Sequence, residues 1–213
     1  MIRVLVADDH DLVRTGISRM LADVEGIEIA AQAVSGEDAV QKFREHAPDV
    51  VLMDVRMPGI GGLEATRKIC HMKAGAKVIA VTVCMDDPFP ARLIEAGASG
   101  YVTKSANITE MVSAIRAVHS GRKYISPDIA QQMALKAIEP ESASPFSQLS
   151  QREMQIALMI VNCEKVQVIS DKLCLSPKTV NSYRYRLFEK LSITSDVELT
   201  HLAIRHDLVE AIQ

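Results

Sequence analysis

Five short apolar runs rich in β-branched residues, Ile2 to Ala7, Ile27 to Ala33, Val50 to Met53, Val78 to Val83 and Gly100 to Val102, alternate with amphipathic stretches of helical length. Those stretches are Leu12 to Leu21, Glu37 to His46, Leu63 to Met72, Pro88 to Glu95 and Ile108 to His119. Continuous apolar runs suit parallel strands covered on both faces, whereas a sheet with one wet face needs strict alternation. β and α in turn build a doubly wound α/β sheet. The runs recur at the length of a βα unit, roughly 25 residues, and no motif recurs with them, so a solenoid is excluded. The expectation is a (βα)5 domain with a parallel sheet over residues 1–120.

After Ser120-Gly121 the pattern changes. Ser126-Pro127, a short helical run to Ile138 and the segment Glu139-Pro-Glu-Ser-Ala-Ser-Pro145 read as a linker with a short helix over 121–145. From 146 to 213 only helical patterns remain, which predicts a small all-α domain. With 213 residues the chain is long enough for two such domains without staples.

Composition bears on partners. With 48% hydrophobic and 24% charged residues the chain is an ordinary globular one, not a disordered polymer. A net charge of -3 means that any nucleic-acid contact must be a local feature. Residues 178–190 are such a feature, with Lys178, Arg184, Arg186 and Lys190 against Glu189. A charge run of this kind is most often only a solvated face. The four cysteines, Cys70, Cys84, Cys163 and Cys174, form no CxxC pair, which fits buried thiols in a reduced, cytoplasmic chain. Asp8 interrupts the N-terminal run before a signal peptide could form, and no stretch of about 18 apolar residues occurs, so no membrane partner is expected.

In an open α/β sheet the functional groups gather at the carboxyl ends of the strands. Asp8 and Asp9 follow strand 1 and Asp54 follows strand 3. A lone Asp after a strand is usually a helix cap. If strands 1 and 3 are neighbours, however, three carboxylates crowd one pocket, and a hard divalent cation such as Mg2+ resolves their repulsion. Strands 4 and 5 end at Thr82 and Lys104, a hydroxyl and an ammonium suited to meet phosphoryl oxygens, though each alone is an ordinary strand-end residue. His10 reads as a solvent-facing loop residue. Gly59, Gly61 and Gly62 read as a tight loop, because the Lys and Ser/Thr of a phosphate loop do not follow them.

These segments, Val-Ala-Asp8-Asp9-His, Val-Val-Leu-Met-Asp54-Val-Arg-Met-Pro58, Ala-Val-Thr82 and Gly-Tyr101-Val-Thr-Lys104, together resemble the receiver domain of two-component response regulators. The resemblance implies that Asp54 accepts a phosphoryl group from a sensor histidine kinase and that Asp8, Asp9, Asp54 and the carbonyl of Arg56 serve Mg2+. It further implies that Lys104 and Thr82 bind the phosphoryl oxygens and that Tyr101 is the aromatic switch, a position a plain packing aromatic could also fill. Ser105 stands where many receivers carry proline, so no cis-proline is expected.

In the C-terminal part, Ser150 and Glu153 form a capping-box pattern, and Val166 to Leu173, the turn Cys174 to Ser176 and the run Pro177 to Leu191 have helix-turn-helix spacing. Val180, Leu187 and Leu191 lie on one side of the second helix, while Lys178, Asn181, Ser182 and Tyr185 lie on the other, an exposed face or a reading head. Leu149-Ser-Gln-Arg-Glu153, Leu173 to Asn181 and Lys190-Leu191 resemble the LuxR-type helix-turn-helix of the NarL/FixJ family. That resemblance implies that Asn181, Ser182 and Tyr185 face the major groove of promoter DNA, that Lys178, Thr179 and Arg186 hold phosphates, and that the last helix, around Ser195 to His206, forms a homodimer when the receiver is phosphorylated. Asn162 to Val166 departs from the family's usual loop.

The run Ser170 to Arg186, with Ser192 to Leu199 and Asp87 to Pro90, resembles one gammaproteobacterial group within that family. It implies a hybrid kinase of the BarA/GacS kind as donor, promoters of small regulatory RNAs that antagonise a CsrA/RsmA-type repressor, and contact with RNA polymerase. Two other classes compete with a transcription factor. One is a Mg2+-dependent aspartyl phosphohydrolase, disfavoured because Arg56 stands where such enzymes place a second acid, which leaves only slow self-dephosphorylation and no true enzyme. The other is an adaptor whose helical domain binds protein.

Overall fold

The computed structural model describes residues 1–82, 89–138, 144–206 and 208. Cys84, Asp87 and most of the Glu139 to Pro145 segment lie outside them. The chain divides into two compact units, one holding the sheet and its helices, the other the C-terminal helices.

In the first unit, among the described residues, six strands form one sheet in the order β2-β1-β3-β4-β5-β6. They are β1 (Ile2–Ala7), β2 (Ile27–Ala33), β3 (Val50–Asp54), β4 (Val78–Thr82), β5 (Gly100–Thr103) and β6 (Tyr124–Ile125). All pairings are parallel. The helices are α1 (Asp11–Ala22), α2 (Gly36–His46), α3 (Gly61–Met72), α4 (Phe89–Glu95), α5 (Ile108–His119) and α6 (Pro127–Ile138).

Side chains alternate across each strand, so one apolar set faces each way. Val4, Val6, Leu52, Ile79, Val81 and Val102 join Leu21 of α1 and Met111, Ile115 and Val118 of α5 in one core. Leu5, Val51, Met53 and Val78 join Val40 and Phe43 of α2 and Ala65 and Ile69 of α3 in the other. Two covered faces are what continuous apolar runs require.

β6 adds an edge strand to the expected parallel sheet, inside the segment 121–145 that the sequence suggested as a linker. Tyr124 and Ile125 pair with Gly100 and Tyr101. The Ser126 amide donates to the Tyr101 carbonyl at 2.9 Å, and its hydroxyl donates to Glu110 Oε1 of α5 at 2.5 Å. Two residues followed by Ser-Pro are too short to show any periodicity, so only the open edge of β5 selects this strand.

The second unit contains a short 3-10 turn, Pro145–Gln148, then α7 (Gln151–Val161), α8 (Val166–Leu173), α9 (Pro177–Leu191) and α10 (Asp196–Arg205). Local signals set these bounds. Ser150 and Glu153 complete the capping box of α7, Ser176 caps α9 ahead of Pro177, and Ser195 caps α10. Buried Glu153 also takes the Lys190 ammonium of α9 at 2.7 Å. Burial alone would raise that carboxyl, but Lys190 and the Ser150 cap outweigh it and hold it below the usual range.

The cysteines depart from expectation. Cys70 is half-buried, whereas Cys163 and Cys174 are exposed, and none of these three forms a disulfide. Both exposed thiols sit where a helix ends with φ of 59° and 52°, turns that project the side chain outward. Among the described residues no helix is long and apolar enough to cross a membrane.

Candidate phosphoacceptor site and DNA-reading helix

Because β1 and β3 are adjacent, their carboxyl ends bring Asp8 and Asp54 together, both 2% exposed. Lys104, at the end of β5, bridges them, its Nζ lying 2.8 Å from Asp8 Oδ2 and 2.8 Å from Asp54 Oδ2. The Arg56 amide donates to Asp54 Oδ1 at 3.2 Å. Thr82 and Tyr101 are fully buried, so the tyrosine ring lies inward.

Burial pushes the Asp54 carboxyl up from 3.8 to about 6; Lys104 opposes this and Asp8 adds to it. Burial alone would lower Lys104, but the two carboxylates more than compensate and raise it. The ammonium stays charged and holds together a pair that would otherwise repel.

One ligand atom from each of Asp8, Asp9, His10 and Asp54 lies within 4.8 Å of the others. Exposed Asp9 completes a set of hard oxygen donors around the buried pair, which suits Mg2+. His10 is a largely exposed loop residue, as expected, yet its Nδ1 lies 3.1 Å from Asp9. Its amide donates to Asp8 Oδ1 at 2.8 Å.

Two supports escape the sequence reading. Arg14 of α1 is buried and donates to the Asp8 carbonyl at 2.8 Å, which fixes the turn after β1. Glu37, in the first turn of α2, accepts the Ile60 amide at 3.1 Å across the loop that follows Asp54. A helical arginine and a helix-start glutamate look like ordinary surface charges in sequence, and only the packing of α1 and α2 against the loops reveals them. The glycine loop has its own requirement. The Gly62 amide donates to the Val55 carbonyl at 3.1 Å, and a Cβ on Gly62 would run into the Asp54 carbonyl.

In α9, Val180, Leu187 and Leu191 are buried, which turns the other stripe outward. Tyr185 is 69% exposed, Lys178 and Ser182 are exposed, and Asn181 and Thr179 are half-exposed. Thr179 Oγ1 lies 2.8 Å from the Ser176 cap hydroxyl, and Ser182 donates to the Lys178 carbonyl at 3.0 Å. The local charge is smaller than the composition suggests. Arg184 is held by both oxygens of Asp196 in α10, and Lys190 by Glu153, which leaves Lys178 and Arg186 without acidic partners among the described residues. Arg186 instead lies over the Tyr183 ring.

These two sites fall in two recognised sequence families. The model "Response regulator receiver domain" matches residues 4–116, and "Bacterial regulatory proteins, luxR family" matches 147–203. The chain belongs to the two-component response regulators. It is 67% identical over 211 residues to the response regulator GacA of Pseudomonas protegens, which covers 99% of both chains. It is 60% identical over 212 residues to the response regulator UvrY of Escherichia coli K12, with 99% of this chain and 97% of that one covered. The regulator therefore sits with the GacA/UvrY/SirA group that its helix-turn-helix run resembles. The fold is shared with RcsB of Salmonella enterica serovar Typhimurium, at a TM-score of 0.71 and 21% identity over 95% of this chain and 98% of that one. Receiver domains bind Mg2+ through acidic residues, and this regulator carries such a cluster.

Proposed function

We propose that this response regulator is a transcription factor switched by phosphorylation of Asp54. The observation that carries the reading is the Lys104 ammonium set 2.8 Å from both buried carboxylates, beside the buried Thr82. An Asp54 oxygen attacks the phosphorus of a kinase phosphohistidine, the P–N bond breaks, and the imidazole leaves with its electron pair and takes a proton. An acyl phosphate remains on Asp54. Lys104 Nζ then turns from the carboxylates to the new phosphoryl oxygens, joined by the Thr82 hydroxyl. Asp8, Asp9, Asp54 and the Arg56 carbonyl would hold Mg2+, which supplies positive charge against the phosphoryl oxygens. As Thr82 moves toward the phosphoryl group, Tyr101 follows it and the surface beside β4 and β5 changes.

The second half of the reading places α9 in the major groove. Asn181, Ser182 and Tyr185 face base edges, and Lys178, Thr179 and Arg186 hold the backbone. Phosphorylation favours a homodimer through α10, so two half-sites bind together. The RcsB structure, which shares the fold, is of that protein bound to promoter rprA in the presence of the phosphomimetic BeF3-. Likeness to the GacA group supports a BarA/GacS-like kinase as donor. It also supports promoters of small RNAs that antagonise a CsrA/RsmA-type repressor, contact with RNA polymerase there, and a cytoplasmic place of action. We assign no enzymatic turnover beyond slow loss of its own phosphoryl group, because Arg56 cannot serve as the general acid that hydrolysis of phosphate esters needs.

The test is promoter affinity at one fixed salt concentration, before and after treatment with Mg2+ and acetyl phosphate. Tighter binding after treatment is expected, and equal affinity would overturn the coupling. Asn181→Ala and Tyr185→Ala are each expected to lose about 1–3 kcal/mol of preference for promoter over random DNA, with an unchanged circular dichroism spectrum. Variants that discriminate as well as the parent would show that α9 does not read the bases.

A further inference from the structure

On the face of the receiver formed by α2 and α3, a groove of about 450 Å3 opens between the two helices, and its lining includes none of Asp8, Asp9 and Asp54. Its volume is within the range of small-ligand sites. Val40, Ile60 and Met72 make an apolar floor. Arg44, Lys68 and His71 stand around it, and among the described residues no acidic side chain forms a salt bridge with any of the three. The Arg44 Nε donates to Met72 Sδ at 3.0 Å, and among the described residues its terminal nitrogens have no hydrogen-bond partner. Arg67 also lines the groove but is already committed to Glu64.

The one acid in the lining is Glu37, and it is engaged. It accepts the Ile60 amide, and its carboxyl lies so close to Gly59 that a Cβ there would meet it. Three cationic or donor groups without acidic partners among the described residues thus surround an apolar floor, and the carboxylate of the lining is hydrogen-bonded to the backbone. Exposed cations distributed for solubility are normally interspersed with acids; here both helices contribute donors of one kind to one hollow.

We propose that this groove binds a small amphipathic anion, an oxyacid head of the carboxylate or phosphate-ester class on a short hydrocarbon body. The head meets Lys68, Arg44 and His71, and the body covers Val40, Ile60 and Met72. Ile60 belongs to both the groove floor and the loop after Asp54, so an occupant there acts on the loop that carries Arg56.

The test is a nuclear magnetic resonance titration of the full chain with octyl phosphate, octanoate, inorganic phosphate and octanol. Octyl phosphate is expected to give saturable shifts at the Val40, Ile60 and Met72 methyls and the Ile60 amide. Octanol and inorganic phosphate should each bind at least about tenfold more weakly, because each lacks half of the recognition. The rank of octanoate against octyl phosphate identifies the preferred head. Arg44→Glu with Lys68→Glu is expected to weaken octyl phosphate at least about tenfold. Lys68→Gln, which removes an ammonium with no partner among the described residues, gives a milder loss and serves should the double variant not fold. Inorganic phosphate binding as well as octyl phosphate, shifts clustered elsewhere, or unchanged affinity in both variants would overturn the proposal.

Discussion

An Asp54→Asn chain incubated with Mg2+ and acetyl phosphate is expected to gain no phosphoryl group by intact-mass measurement, whereas the parent gains one that is labile and requires Mg2+. The amide cannot form an acyl phosphate, and the neighbouring Asp8 is tied to Lys104 and to the His10 amide. A labile adduct that survives the substitution would move the acceptor to another carboxylate. The same variant should change stability in the opposite sense. The Asp54 carboxyl is raised from 3.8 to about 6 by burial, so the fold favours its protonated form. The contribution of that form is fully present below 3.8 and is lost as pH rises through about 6, which leaves a buried charge at neutral pH. The shift corresponds to an upper bound of roughly 3 kcal/mol. Asp54→Asn is therefore expected to raise the melting temperature of the metal-free protein by a few degrees at pH 7.5 and to narrow its difference from the parent near pH 4. A variant that melts lower than the parent at pH 7.5 would show that the Lys104 contact outweighs burial.

Gly62→Ala is expected to be the most damaging small substitution in the receiver. The new methyl would be driven into the backbone carbonyl of Asp54 and lie 2.9 Å from the Val55 Cα. Backbone cannot rotate away as a flexible side chain would, so the end of β3 and the start of α3 must separate. A cost of about 3 kcal/mol or more is expected, with loss of the acetyl phosphate reaction in whatever remains folded. Gly16→Ala, a helical glycine whose Cβ would meet nothing within 4 Å, is the control and should be neutral or slightly stabilising. Equal melting temperatures for the two variants would contradict this account of the loop.

The sheet was readable because each central strand is apolar on both faces, and the acids were readable because they end those strands. Their meeting depended on β1 and β3 being neighbours, which the sequence could pose only as a condition and the pairing of Val4 with Val50 fulfils. What remained illegible is long-range and polar. Nothing in the order of residues tells that Arg184 is spent on Asp196 or Lys190 on Glu153, so a basic stretch of four cations became a face with two. Glu37 was invisible for the same reason, since it acts on a backbone amide of a distant loop, and Arg14 because its target is a backbone carbonyl that no sequence pattern marks. The exposed cysteines show the limit of treating a residue type as a burial signal when helix ends decide its direction.

β6 bears on where this chain could be divided. A receiver cut at residue 120 would leave the carbonyls of Ser99 and Tyr101 without the Tyr124 and Ser126 amides that now cap them. An uncovered strand edge invites pairing with another copy. The natural border of the sheet unit thus lies beyond Ser126, so exchange of receivers between relatives should carry the Tyr-Ile-Ser-Pro segment along with the sheet it closes.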